Sequence, residues 1–213
     1  MTEAPGYIAI EGVIGAGKTT LASMLAARLD RELVLERFEE NPFLPLFYTD
    51  PSRHAFATQI FFLLSRYRQQ KELGAMLADG VRVVSDYIFD KDRIFASLTL
   101  QDEDLELYDT VATPLMESLP HPDLIIYLRS SVARAVGNIR RRGRPMERVI
   151  SEQYIGKLAE RYEQFLAWKR PSPVLVVETA GLDLLHDTRA FNELLTEIVR
   201  PNDAELRSID LTK

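Results

Sequence analysis

The sequence has 213 residues, contains no cysteine, and carries 26 Lys and Arg against 32 Asp and Glu, a formal net charge of −6. The length suits one α/β domain with a sizeable core. The lack of cysteine excludes disulfides and thiolate metal sites, and the acidic balance argues against a general attraction to nucleic acid. No run approaches about 18 apolar residues and no secretory leader pattern opens the chain, so we expect a soluble, cytoplasmic protein with no membrane partner.

Apolar runs with β character alternate with helical patterns along the chain. The strand candidates are Tyr7–Ile10, Leu33–Leu35, Val81–Val84, Leu124–Leu128 and Val174–Val177. This alternation predicts a single α/β domain over residues 1–213, with a doubly wound, mostly parallel sheet of about five strands flanked by helices. Ligands of such sheets bind at the carboxyl ends of the strands. The polar end after Pro201 is the only stretch that the pattern indicates to be loose.

The first strand candidate leads into a glycine-rich segment that fits the P-loop motif G-x-x-x-x-G-K-[ST]. With the residue that follows, it consists of Gly12, Val13, Ile14, Gly15, Ala16, Gly17, Lys18, Thr19 and Thr20. Its backbone N–H groups and the next helix N-terminus predict an ATP phosphate site. Lys18 would meet the outer phosphates, and the Thr19 hydroxyl would bind Mg²⁺. A chance glycine-rich turn is the weaker alternative, because a strand and a helix pattern flank the motif.

Acidic side chains follow the second and third strand candidates. Asp86 takes the position where P-loop enzymes place an acid near Mg²⁺. For Glu36 the pattern leaves two interpretations open. It is either a site group or, with Glu39 and Glu40, part of a solvated acidic turn before a helix that Asn41-Pro42 would start. Composition alone favours the acidic turn.

A long helical pattern runs from His54 to Ala78. Gln59 and Arg66 are seven residues apart on it, hence near one face of the helix. An amide and a planar guanidinium so placed can read the edge of a base. The alternative is that both side chains simply face solvent, as polar residues on long helices usually do.

Positive charge is concentrated in residues 140–148, where five of nine residues are arginine: Arg140, Arg141, Arg142, Arg144 and Arg148. Gly143 and Pro145 favour a loop there rather than a continuous helix. In an acidic protein with a P-loop, this pattern predicts a mobile lid over about residues 140–150 that neutralises a transferring phosphoryl group. A basic surface patch for an acidic partner is the alternative.

Together these segments resemble the deoxynucleoside kinase family, and its bacterial deoxyguanosine/deoxyadenosine kinase branch most closely. The resemblance covers the chain from Tyr7 to about Trp168 and rests on ordered motifs with matching spacings. They are Ile10–Thr20, Glu36 with Asn41–Leu44, Phe47–Tyr48, Gln59, Leu64–Arg66, Asp86–Tyr87 with Ile94–Ala96, Ile125–Leu128, and Arg142–Pro145 with Glu147.

The resemblance implies a P-loop kinase fold, a homodimer, and transfer of a phosphoryl group from ATP, with Mg²⁺, to the 5′-hydroxyl of a deoxynucleoside, purine preferred. It implies that Glu36 is the general base, so the resemblance favours a site group at this position over the solvated acidic turn that composition favours. The other roles it implies follow the family's motifs. They are Lys18, Arg142 and Arg144 for phosphoryl transfer, Tyr48 and Glu147 for the sugar 3′-hydroxyl, Tyr48 also for exclusion of a 2′-hydroxyl, and Gln59 and Arg66 for the base.

The sequence departs from the family pattern near Asp86. Many members carry an arginine directly after this acid, where it helps to hold the catalytic glutamate, but here the next residue is Tyr87. That role is unassigned, with Arg93 or a lid arginine as candidates. The acid that contacts the base corresponds to either Lys91 or Asp92, depending on a one-residue gap. A further lid arginine is also replaced, by Asn138.

Three other functions compete with this interpretation. A nucleoside monophosphate kinase of the thymidylate kinase type shares the P-loop and the arginine lid, but it is expected to carry an arginine motif for the acceptor phosphate after the third strand. A GTPase would need an Asn-Lys-x-Asp guanine reader, which Asp90-Lys91-Asp92 does not supply. A non-catalytic nucleotide-binding protein would not need to retain Lys18, Glu36 and Arg142 together.

Overall fold

The computed structural model describes residues 5–168, 171–179, 187–200 and 205–211. At its centre lies a six-stranded sheet in which all neighbouring strands are parallel, in the order β2-β3-β1-β4-β5-β6. The strands are β1 (Tyr7–Glu11), β2 (Glu32–Val34), β3 (Val83–Ser85), β4 (Leu124–Arg129), β5 (Val174–Glu178) and β6 (Leu206–Asp210). The doubly wound parallel sheet predicted from the alternation of elements is confirmed.

Helices connect these strands. They are α1 (Lys18–Leu29), α2 (Leu44–Thr49), α3 (Pro51–Ala78), α4 (Lys91–Thr99), α5 (Asp102–Met116), α6 (Val132–Arg142), α7 (Glu152–Ala167) and α8 (Thr188–Val199). Two 3₁₀-helices, Phe38–Glu40 and Pro145–Val149, precede α2 and α7. Within the described ranges, no helix is both long and apolar enough to cross a membrane.

The sixth strand was not predicted, and the expectation of a loose polar end is wrong for Leu206–Asp210. This strand pairs with β5 at one edge of the sheet, from Leu206 opposite Val174 to Asp210 opposite Glu178. Its residues alternate between exposed and half-buried. Because an edge strand with only one partly covered face lacks a continuous apolar run, it leaves little signal in the sequence.

The long predicted helix also begins earlier than His54. The Asp50 carboxylate accepts a hydrogen bond of 3.3 Å from the Arg53 amide, and Pro51 occupies the first helical position. A capping side chain followed by proline is a common helix start. Asn41-Pro42 instead forms a turn, in which the Asn41 side-chain oxygen accepts from the Phe43 amide, and α2 starts at Leu44.

Two hydrophobic cores fix the position of the site. The larger core joins the sheet to α1, α6, α7 and α8, and it includes the buried β1 side chains Ile8 and Ile10. The smaller core joins the four helices α2, α3, α4 and α5, and it includes Leu63 and Tyr108. The carboxyl ends of β1, β2 and β3 therefore face the helices of the smaller core across a cleft.

Candidate active site

The P-loop forms the floor of this cleft, between the end of β1 and the start of α1. Gly15 has a left-handed backbone with φ of 83°, and a Cβ there would lie 2.3 Å from the carbonyl oxygen of Ala135 in α6. No side chain fits in that space. Asn138, one turn along the same helix, donates a hydrogen bond of 2.8 Å to the Gly15 carbonyl. Asn138 therefore braces the P-loop at the position where a lid arginine is common in the family.

Lys18 folds back over the loop. Its Nζ donates hydrogen bonds to the carbonyl oxygens of Gly12 at 2.7 Å and Val13 at 3.0 Å. Burial and the nearby charge of Lys91 lower the pKa of Lys18 to about 8. A buried ammonium beside a second cation favours an anion between them, because opposite charge restores the stability of the charged form. A polyphosphate would supply that charge.

Thr19 and Asp86 are in direct contact. The Thr19 hydroxyl donates a hydrogen bond of 2.6 Å to Asp86 Oδ2. Because the hydroxyl proton points at the carboxylate, the oxygen lone pairs of Thr19 are left to bind a cation. Among the described residues, no three His, Cys, Asp or Glu side chains cluster as a metal site. The pair therefore fits Mg²⁺ that arrives with nucleotide phosphates as its main ligands.

Glu36 lies in the cleft rather than in a solvated turn. Its side chain is only 12% exposed, whereas Glu39 and Glu40 on the following 3₁₀-helix are exposed. Arg66 Nε donates to Glu36 Oε1 at 2.8 Å, and Lys91 Nζ donates to Oε2 at 2.6 Å. Burial favours the neutral acid, but the charges of Arg66 and Lys91 outweigh it and hold the pKa of Glu36 well below its usual range. Glu36 is thus ionised.

The cations that hold Glu36 are not those that the sequence suggested. Arg93 points outward and pairs with Asp109 at 3.0 Å. Arg66, predicted only as a base reader, and Lys91 hold the carboxylate instead. These contacts span 30 and 55 residues of sequence, so no local motif indicates them.

The region around Arg66 also contains the predicted base-reading residues. Arg66 stacks on the Phe62 ring at 4.4 Å, and its Nη1 contacts Asp92. Of the two residues considered for the base contact, Asp92 therefore lies next to Arg66, whereas Lys91 binds Glu36. Gln59 donates a hydrogen bond of 3.0 Å to Thr99. Within the described residues, Gln59 Oε1 and Asp92 Oδ2 are buried acceptors with no partner. Burial raises the pKa of Asp92 to about 6, against the opposing charge of Arg66.

The arginine segment, residues 140–150, closes the opposite side of the cleft. The prediction of a loop is wrong for Arg140–Arg142, which form the last turn of α6, because Gly143 ends that helix in a left-handed cap. Arg142 pairs with both oxygens of Glu147, with Nη2 2.7 Å from Oε1 and Nε 3.1 Å from Oε2. Arg144 lies over the Phe38 ring at 4.2 Å.

One cavity of about 1050 Å³ brings these groups together. Among the predicted site residues, its lining includes Ile14–Thr20, Glu36, Tyr48, Gln59, Arg66, Asp86, Arg142, Arg144 and Glu147. Gly12 and Val13 lie behind the lining, where they hold Lys18. Burial raises the pKa of Tyr48 far above its usual range, so its hydroxyl is a neutral donor. The volume exceeds that of a typical small-molecule pocket and suits two substrates side by side.

Comparison with known proteins gives a consistent result. The sequence profile of the deoxynucleoside kinase family matches residues 8–201. The chain is 40% identical to Bacillus subtilis deoxyguanosine kinase over 164 residues, which cover 76% of this chain and 79% of the relative. It is 33% identical to Bacillus subtilis deoxyadenosine/deoxycytidine kinase over 198 residues, 90% of each chain.

Solved structures agree with these sequence matches. A structure of deoxyadenosine kinase from M. mycoides with bound dCTP superposes with a TM-score of 0.77 and 30% sequence identity, covering 90% of this chain and 99% of that one. The P-loop, the clustered cavity residues, the sequence profile and these relatives all lead to one assignment. The chain belongs to the deoxynucleoside kinase family.

Proposed function

We propose that the chain transfers the γ-phosphoryl group of ATP to the 5′-hydroxyl of a purine deoxynucleoside, deoxyguanosine or deoxyadenosine, for nucleotide salvage in the cytoplasm. The observation that carries this proposal is that an ionised carboxylate, Glu36, and the P-loop lysine, Lys18, face the same cavity. A carboxylate beside a phosphate site suits an acceptor that must lose a proton. An acceptor phosphate would instead need cations directed at it, whereas Arg66 and Lys91 are both directed at Glu36.

In this mechanism the 5′-oxygen bonds to the γ-phosphorus while the bond to the bridging β–γ oxygen breaks and ADP leaves. Glu36 accepts the hydroxyl proton. Lys18, Arg142 and Arg144 neutralise charge on the phosphoryl oxygens. Mg²⁺, held by Thr19, Asp86 and the phosphates, would supply further positive charge. Because phosphoryl transfer depends mainly on positioning and electrostatics, a carboxylate of low basicity suffices if it is held in place.

Sugar selection is assigned to Tyr48 and Glu147, which both line the cavity. Glu147 is bound by Arg142. A 3′-hydroxyl that donates to Glu147 would compete for the same oxygens and release Arg142 toward the phosphates. We therefore assign residues 140–150 the role of a lid whose arginines change partner when the acceptor binds.

Purine preference rests on the base end of the cavity. Gln59 carries a buried acceptor with no partner within the described residues, and Arg66, a donor group, lines the same cavity while it pairs with Glu36 and Asp92. A purine edge offers both complementary groups. The Bacillus subtilis relative of 40% identity is named a deoxyguanosine kinase, which favours the same class of base.

The homodimer is likewise a proposal. Leu64 on α3 and Leu107 and Val111 on α5 are exposed apolar side chains. The two helices contact each other, and we assign their exposed apolar side chains to the surface on which a second copy packs. Light scattering should give the mass of a dimer for the wild type and of a monomer for Leu107→Glu. A monomeric wild type would contradict this.

A substrate panel tests the main proposal. Deoxyguanosine, deoxyadenosine, deoxycytidine, thymidine and the matching ribonucleosides are each incubated with ATP and Mg²⁺, and the products are identified as mono- or diphosphates. We expect monophosphates, formed fastest from the purine deoxynucleosides. Diphosphate formation from a supplied monophosphate, as by a thymidylate kinase, would overturn the assignment. That alternative is not favoured, because a buried Tyr87 occupies the place of an acceptor-phosphate arginine.

A further inference from the structure

The main chain at Glu36 receives little support from the sheet. Strand β2 has only three residues, Glu32–Val34, and lies at the edge of the sheet with β3 as its one neighbour. The last residue of β2 is two positions before Glu36. Arg66 and Lys91 hold the carboxylate, but the main chain at Glu36 must be fixed by contacts outside the sheet.

Two side chains supply those contacts, and both act on one peptide group. The peptide that joins Leu35 to Glu36 presents the Leu35 carbonyl oxygen on one side and the Glu36 N–H on the other. Gln69 Nε2 donates a hydrogen bond of 2.6 Å to that carbonyl. Asp86 Oδ1 accepts a hydrogen bond of 2.8 Å from that N–H. Fixing both ends of a planar peptide sets its orientation, and with it the position of the Glu36 Cα atom from which the side chain leaves the backbone.

Gln69 is itself held by Tyr87. The Tyr87 hydroxyl donates a hydrogen bond of 2.9 Å to Gln69 Oε1, and both side chains are buried. A carbonyl can only accept, so the Gln69 amide must direct its nitrogen to Leu35 and its oxygen to the Tyr87 hydroxyl. The amide has one orientation that satisfies both partners. The Leu35 carbonyl thus sets the orientation of the Gln69 amide, and the Tyr87 hydroxyl holds the amide oxygen in that orientation.

The two ends of the peptide are held from one place in the sequence. Asp86 and Tyr87 are adjacent residues after β3, whose neighbour in the sheet is β2. Asp86 binds the N–H directly, and Tyr87 binds the carbonyl through Gln69 of α3. This arrangement gives Tyr87 a structural purpose at a position where its side chain points away from the substrates.

We infer that Gln69 and Tyr87 are positioning residues that hold the Leu35–Glu36 peptide so that the Glu36 carboxylate faces the 5′-hydroxyl. The inference rests on the proposed role of Glu36 as the base. It predicts that loss of either side chain slows the chemical step without weakening nucleoside binding. If the network served only stability, loss of either side chain would lower the melting temperature and leave the rate of the chemical step unchanged.

The decisive variant is Tyr87→Phe, which removes one hydroxyl and keeps the ring in the core. The rate of phosphoryl transfer is measured in single turnovers with the purine deoxynucleoside that the panel prefers, and nucleoside Kd is measured separately. We expect the rate to fall by about tenfold or more, since small displacements of a reacting group are costly, and Kd to change by less than about threefold. Gln69→Leu should lower the rate at least as much.

Tyr7→Phe is the matched control. The Tyr7 hydroxyl is equally buried and accepts hydrogen bonds from Ser85 at 3.3 Å and Gln70 at 3.4 Å. It belongs to the same polar region, but within the described part of the chain its hydrogen-bond partners are Ser85 and Gln70 rather than Leu35 or Gln69. Tyr7→Phe should lower the melting temperature by an amount similar to that for Tyr87→Phe and leave the single-turnover rate unchanged.

The same substitution in a Glu36→Gln background separates this inference from the proposed function. If Tyr87 acts through Glu36, Tyr87→Phe adds no further loss of rate once Glu36→Gln is present. An equal loss in both backgrounds, an unchanged rate in Tyr87→Phe, or an equal loss in Tyr7→Phe would overturn the inference while leaving the base assignment intact. Wild-type turnover in Glu36→Gln alone would instead remove the base assignment, and the inference with it.

Discussion

Lys91 Nζ lies 2.6 Å from Glu36 Oε2, and the two side chains are buried together at the edge of the cavity. The same ammonium is close enough to Lys18 to lower its pKa. Lys91 therefore links the proposed base to the phosphate site.

The first prediction concerns this link. In Lys91→Met, loss of the cation should raise the pKa of Glu36 toward its usual range, so that turnover declines on the acid side at higher pH than in the wild type. Turnover at neutral pH should fall by about tenfold or more, because charge at the phosphoryl group is less neutralised. The pH profile of kcat measures both effects. Arg93→Met, on the same helix but paired with Asp109, should keep the wild-type profile.

The second prediction tests the base directly. Glu36→Gln keeps the shape of the side chain but cannot accept the proton, and its amide nitrogen cannot accept the hydrogen bond that Arg66 or Lys91 donates to Glu36. Turnover should therefore fall by roughly 10²–10⁴-fold. Nucleoside Kd should change far less. The exposed Glu39→Gln serves as the control. Full activity in Glu36→Gln would make Asp86 the next candidate for the base.

The third prediction concerns the donor site. Lys18→Ala should abolish most phosphoryl transfer from ATP, because no fixed cation meets the developing negative charge. Circular dichroism should show an unchanged fold, and Lys157→Ala on the exposed face of α7 should retain activity. If Lys18→Ala turns over ATP at a near-normal rate, the P-loop is not the donor site.

Sugar selection provides the fourth prediction. A 2′,3′-dideoxynucleoside leaves the buried Tyr48 hydroxyl without the sugar hydroxyl as its partner, whereas Glu147 keeps Arg142. A buried unpaired polar group costs about 1–3 kcal/mol, so kcat/KM should fall by roughly ten- to a hundredfold. Tyr48→Phe should reduce the difference in kcat/KM between substrates with a 3′-hydroxyl and dideoxy substrates. Tyr67→Phe, the control, should leave that difference unchanged. Equal use of adenosine and deoxyadenosine would rule out sugar exclusion by Tyr48.

The fifth prediction is a pH dependence of stability. Burial raises the pKa of Asp92 from 3.8 to about 6, so between those values the folded state holds a proton that the unfolded state has lost. This group's contribution to stability is therefore present below its unfolded pKa and lost as the pH rises through its folded pKa. The unfolding free energy of the wild type relative to Asp92→Asn should decrease over this range. An increase over the same range would show that the charge of Arg66 dominates.

The sequence allowed prediction where the chemistry is local. The P-loop is a continuous segment whose glycines, lysine and hydroxyl act through their own backbone, so Lys18 and Thr19 lie where the motif predicts. Contacts made by the tertiary structure were not predictable in this way. Arg66 was interpreted as a base reader because only its helical face was visible, and its contact with Glu36 depends on the packing of α3 against the end of β2.

The Asp86-Tyr87 departure shows the same limit. In the sequence, Tyr87 stands where many family members carry an arginine, and Lys91 was one of two residues predicted to contact the nucleobase. In the structure Lys91, the first residue of α4, supplies a cation that binds Glu36. The Tyr87 side chain is buried and its hydroxyl binds Gln69. The cations that bind Glu36 therefore come from Lys91 and from Arg66 on another helix, which only the three-dimensional arrangement shows.

The contact between Gly15 and α6 restricts the way in which Arg142 can move. The helix is pressed against the phosphate loop at Ala135 and bonded to it at Asn138, and Arg142 lies only one turn beyond. The helix cannot swing without dislodging the loop on which ATP would rest. Under the lid role proposed for this segment, Arg142 would therefore exchange Glu147 for a phosphate by rotation of its own side chain rather than by a movement of α6.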